Sequence, residues 1–151
     1  MRKSYVLSVL LLLASFCQLY AEEVSKHMAF EYAKSFFVTN DPLLTRGVEP
    51  QLKLVYESAG TQTRGVSDPA LYVFNRINYG GFVIISGDSV TYPVLGYSMT
   101  GSFVTENMPV NIEQWLLGIS DEINYLRSSG VSQSEYFAQQ WNTAASDFGD
   151  I

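Results

Sequence analysis

The sequence predicts an α+β fold: a single domain in which a small antiparallel β-sheet is packed by an N-terminal helix and a later amphipathic helix. Three observations predict it. Apolar residues recur at three- and four-residue spacing in residues 24–38 and again in 112–127. Between these stretches lie short runs that alternate in polarity or are wholly apolar. Turn residues separate the runs by only a few positions, which suits antiparallel neighbours.

The first residues read differently. Met1-Arg2-Lys3 is a short positive segment, and Val6 to Phe16 is apolar apart from Ser8 and Ser15. Ala21 then precedes Glu22, so residues 1–21 are expected to be a secretory signal peptide. The apolar run is shorter than the roughly 20 residues that cross a bilayer. A lipid anchor on Cys17 is the weaker reading, because Phe16 stands where a small residue is normally needed. Cleavage after Ala21 leaves residues 22–151, one domain that carries no cysteine and so forms no disulfide. Loss of Arg2 and Lys3 takes the formal charge from −6 to −8. An acidic surface repels phosphate backbones, so nucleic acid is not an expected partner. Export to the periplasm or beyond, no membrane contact in the mature form and a monomeric free state are expected.

Val24 to Val38 reads as the N-terminal helix, with Ser25 as N-cap and a core face of Met28, Tyr32 and Phe36 flanked by Ala29, Ala33 and Phe37. Asn40-Asp41-Pro42 ends it. Gln51 to Ser58 reads as a half-buried strand, with Leu52, Leu54 and Tyr56 on one side. Leu71–Asn75 and Phe82–Ser86 form a hairpin across Asn78-Tyr79-Gly80-Gly81, and Val94–Ser98 follows as a further strand. The helix from Ile112 to Arg127 has a core stripe of Ile112, Trp115, Leu116, Ile119, Ile123 and Leu126. Asn111 is its expected N-cap, with Gln114 completing a capping box, Val110 and Trp115 a hydrophobic staple, and Gly130 the stop. A last short helix is expected from Ser134 to Trp141, and the small polar tail from Asn142 to Ile151 is expected to fray.

Catalytic equipment is missing from the sequence. Without a mature cysteine there is no thiol nucleophile. His27 is the one histidine, and Gly96-Tyr97-Ser98-Met99-Thr100 lacks the second glycine of a nucleophile elbow. No His/Cys cluster offers a zinc site, and Gly80-Gly81 precedes a strand instead of opening a helix, the wrong order for a phosphate loop. The expectation is therefore no enzyme, no metal and no cofactor.

Three blocks in order, Leu71-Tyr72-Val73-Phe74-Asn75, Gly80 to Asp88, and Pro93 to Ser98 followed by Gly101-Ser102-Phe103, resemble the pro-domain of streptopain and the stand-alone Spi-type inhibitors related to it. The likeness spans Val24 to about Arg127. It implies a secreted bacterial inhibitor whose partner is a streptopain-like cysteine protease. In that family the pro-domain covers the active-site cleft, and the loop before its last main helix displaces the catalytic histidine. The loop corresponds to Ser102 to Asn111, and the resemblance points to Asn111 as the probe, supported by Met108, Pro109 and Val110, with Glu106 and Asn107 as the alternative contacts. Streptopain precursors continue into a catalytic domain, whereas this sequence ends at Ile151, so inhibition in trans is expected. The competing expectations are a non-inhibitory secreted interaction module and a pro-domain-like folding helper.

Overall fold

A computed structural model of the chain describes residues 21–41, 49–58 and 68–146. The expected signal peptide, with Cys17, lies outside the described residues apart from Ala21, and so do Pro42 and residues 147–151. The elements run α1 (Lys26–Asn40), β1 (Leu52–Glu57), β2 (Leu71–Arg76), β3 (Phe82–Ser86), β4 (Val94–Ser98), α2 (Val110–Ser128) and α3 (Glu135–Ser146). The four strands form one antiparallel sheet in the order β1-β2-β3-β4. The architecture is α+β, as the sequence predicts.

Side chains alternate across the two central strands and so feed two cores. Tyr72, Phe74, Val83 and Ile85 face a cluster with Ala29, Tyr32, Ala33 and Phe37 of α1 and Trp141 of α3. Leu71, Val73 and Ile84 face the other way, onto Leu116 of α2 with Ile112 and Ile119 beside it. Helices therefore cover both faces, which is why Val83 to Ile85 are buried without a polar break. Full burial of a side chain such as Phe37 or Phe74 is worth about 1.5–3 kcal/mol.

Several expectations are corrected in detail. Ser25 caps α1 by accepting from the Met28 amide at 3.2 Å, but the buried face is Ala29, Tyr32, Ala33 and Phe37, with Met28 left exposed. In β1 the register shifts between Leu54 and Tyr56. The extra residue of this bulge turns Tyr56 away from Leu52 and Leu54, so it packs in the second core. Helix α3 runs past Trp141 to Ser146, because Ala144 and Ala145 pack against the first core instead of fraying.

Two arginines tie the layers together. Arg76, buried on β2, pairs with Asp41 at the end of α1 and donates from Nε to the Gly80 carbonyl at 2.7 Å. Its guanidinium also lies 4.8 Å from the Phe37 ring centre. Arg127, near the end of α2, donates from Nε to Asp88 Oδ2 at 2.9 Å and from its terminal nitrogens to the carbonyls of Asp68, Pro69 and Gly87. Residues 22–24 run beside 87–89, with the Val24 amide donating to the Gly87 carbonyl at 2.9 Å and the Ser89 amide to that of Glu22 at 2.9 Å. This brings Glu23 to Asp68 and Asp88. Burial first, then a hydrogen bond and repulsion from Asp68, raise its carboxyl above the ordinary 4.5, against the pull of Arg127.

Candidate functional site

The segment between β4 and α2 is held at both ends and exposed in the middle. Thr100-Gly101 turns the chain out of β4, with Gly101 at φ 73°. The Asn75 side chain on β2 then grips Phe103 twice, donating from Nδ2 to its carbonyl at 2.9 Å and accepting from its amide at 2.8 Å. This amide copies the paired bonds that a neighbouring strand residue would make. The Phe103 ring meets Phe82 edge-on with centroids 5.4 Å apart. Five residues on, Met108 packs into the second core. Between these anchors Val104 to Asn107 project outward, with Val104 exposed. Asn107 sits at φ 52°, a left-handed conformation that asparagine tolerates better than most residues.

Helix α2 begins earlier than its sequence pattern implies. Pro109 is the N-cap residue, and its carbonyl accepts from the amides of Ile112 and Glu113 at 2.9 and 3.1 Å. Proline's fixed φ suits the edge of a helix and keeps Met108 out of the helical region, which sets the boundary there. Asn111 is consequently not the cap. It lies in the first turn, exposed, and its side chain makes no hydrogen bond to any described residue. The capping box with Gln114 and the staple between Val110 and Trp115 fall with that assignment, since Val110 is already helical. Gly130 does end the helix, at φ 64° just past the Ser129 C-cap.

Glu106, Asn107, Met108, Pro109, Val110 and Asn111 thus share one corner of the molecule. Five are exposed, and Met108 is the half-buried root. Trp115 stands beside this corner over Gly96 of β4, where an added side-chain carbon would lie 3.6 Å from its ring. Reading the sequence alone missed two positioning residues, Asn75 and Phe103. A polar residue closing the apolar run Leu71–Phe74 was the available signal for Asn75. Among the described residues no group of His, Cys, Asp and Glu is placed to hold a metal ion, and no helix is long and apolar enough to cross a membrane. His27 lies exposed on α1. What the corner offers is shape: an anchored loop beside an amide that bonds no described residue.

Comparison with known proteins gives this corner a context. A family model described as Spi protease inhibitor matches residues 21–123, which include both sheet and loop. Over 120 residues the chain is 31% identical to the thiol protease/hemagglutinin PrtT of Porphyromonas gingivalis. That alignment takes in 79% of this chain but 13% of the length of PrtT. No solved structure matches the chain. With more than half of its residues matched, the chain belongs to the Spi protease inhibitor family, whose role is protease inhibition.

Proposed function

We propose that the protein inhibits a streptopain-like cysteine protease by seating the Ser102–Asn111 segment in the active-site cleft and displacing the catalytic histidine. The observation that carries this reading is the state of Asn111: exposed, unbonded among the described residues, and held at the start of a helix whose first turn is set by Pro109. A cysteine protease depends on a thiolate activated by a neighbouring imidazole. Keeping the imidazole away removes activity without any chemistry in the inhibitor. A donor–acceptor amide suits that task, because it can bond either a ring nitrogen or backbone. Exposed Val104 and Val110 supply apolar contact on either side, and Glu106 and Asn107 form the tip. Export through the signal peptide of residues 1–21, to the periplasm or outside the cell, would place the inhibitor with a secreted enzyme.

The similarity to part of a thiol protease favours a second reading. The same domain serves as a pro-segment that assists folding of, or restrains, a protease domain. Both readings use the same loop, and they differ in whether purified protein inhibits when added from outside.

The test titrates the purified protein into thiol protease PrtT and other streptopain-like cysteine proteases, with a peptide substrate as readout. Stoichiometric loss of activity is expected against at least one of them. Asn111→Ala is expected to weaken inhibition by about 30-fold, the effect of losing an interface hot spot, with an unchanged melting temperature. Full protease activity at micromolar excess of inhibitor across the panel rules the reading out.

A further inference from the structure

The residues from Phe103 to Met108 leave and re-enter one core. Both end residues pack against the second apolar cluster. The Phe103 ring lies 5.4 Å from that of Phe82 on β3 and 6.4 Å from that of Tyr56 on β1, between centroids, so it sits across the two strands that flank β2. Val104 to Asn107 join these two anchors and are all exposed. The chain reverses at Glu106-Asn107, which form a turn, with Asn107 in the left-handed region at φ 52°.

Asn75 holds the strand side of this turn. Its amide occupies the Phe103 carbonyl at 2.9 Å and the Phe103 amide at 2.8 Å. Lifting Phe103 therefore breaks two hydrogen bonds at once. It also leaves Phe103 no free main-chain group while the clamp is closed. A protein that binds an extended peptide does so by pairing with its main chain, as an added strand would. Attack then needs one carbonyl placed close to the thiolate in the right direction. A closed turn whose leading residue is already paired meets neither condition. To be cut, the segment would have to open first, and cleavage would follow the population of the opened form. In that step the thiolate bonds the carbonyl carbon, the imidazolium gives its proton to the departing amine, and water then releases the new carboxylate and restores the thiol.

We propose that Asn75 is a positioning residue that keeps residues 103–108 as a closed turn, which the target protease binds but does not cut, so that the protein remains an inhibitor and does not become a substrate. The proposal rests on the protease-inhibitor reading above and adds what makes the inhibition last.

The test follows the full protein with a protease that the wild type inhibits, through progress curves and the mass of the recovered inhibitor. The wild type is expected to be recovered intact. Asn75→Ala is expected to inhibit at first and then release activity at least about tenfold faster, with cuts between Val104 and Asn107. Asn75→Asp keeps the acceptor for the Phe103 amide and loses the donor to its carbonyl, so its inhibition is expected to last for an intermediate time. Ile85→Val lowers stability from the first core, on the other face of the sheet, and is expected to inhibit for as long as the wild type. Should Asn75→Ala show no inhibition at all, the mass decides: protein cut between Val104 and Asn107 supports the proposal, and intact protein overturns it. If the wild type inhibits and Asn75→Ala inhibits for as long and stays intact, or if Ile85→Val shortens inhibition as much, the proposal is overturned while the inhibitor reading stands. If the wild type inhibits none of the proteases, both fall together.

Discussion

Glu23 binds its proton more tightly in the fold than in the unfolded chain, and the consequence for stability can be signed. Its carboxyl is raised above 4.5 by burial and by Asp68, so the ionised form costs the native state stability. That cost is present above the folded value, shrinks as pH falls toward 4.5, and disappears below it, where both states are protonated. Glu23→Gln keeps a donor for Asp68 and removes the charge. The variant is expected to melt above the wild type at neutral pH and level with it at pH about 3.5, as read by circular dichroism. The two asparagines show the same dependence on surroundings. Both carry the same amide, yet Asn75 spends both ends of it on Phe103, while Asn111 spends neither on a described residue. Spacing in the sequence marks Asn111 as a cap. Pro109 takes that place, two residues upstream, because a proline ring fixes its own φ regardless of the helix that follows.

At the scale of elements, the segment from Phe103 to Met108 owes its shape to the sheet beneath it. Phe103 is fixed by Asn75 and by Phe82, and Met108 by the second core, so the tip between them is presented without secondary structure of its own. Asn75→Ala removes two hydrogen bonds, and the loss is expected to be about 2 kcal/mol of stability in urea unfolding. It should also speed proteolytic cleavage mapped between Val104 and Asn107, since the strand-side anchor is gone. Unchanged cleavage with lowered stability would show that Met108 and Phe82 suffice. The helices themselves were legible from periodicity, and their faces less so. Met28 lies on the predicted core stripe of α1 but is exposed, because the apolar arc is wider than the contact that the sheet makes. In β1 a period of two assigns Tyr56 to the wrong face, since a one-residue bulge reverses every side chain after it.

Across the whole molecule the first core joins residues far apart in sequence. Tyr32 and Trp141 meet edge-on with ring centroids 4.7 Å apart, and the Trp141 indole nitrogen donates to the Thr91 carbonyl at 2.7 Å. Helix α3 lies beyond residue 123, where the family match ends, yet it closes the core on which α1 packs. Trp141→Ala is expected to destabilise the protein by about 3–5 kcal/mol, in one cooperative transition by circular dichroism. Retention of full stability would mean that α3 is an accessory to the domain. The sequence alone determined the α+β class, the elements and their order, the antiparallel hairpin and the resemblance that led to the family. It could do so because hydrophobic period, turn residues and glycines act over a few neighbouring positions. Only the tertiary structure decided that Asn111 bonds no described residue, that Asn75 and Phe103 hold the loop, that Trp141 belongs to the core, and that Arg127 turns inward onto Asp88 and backbone carbonyls. Each of these depends on contacts between residues tens of positions apart, and no local pattern in the chain encodes which distant partner a side chain will meet.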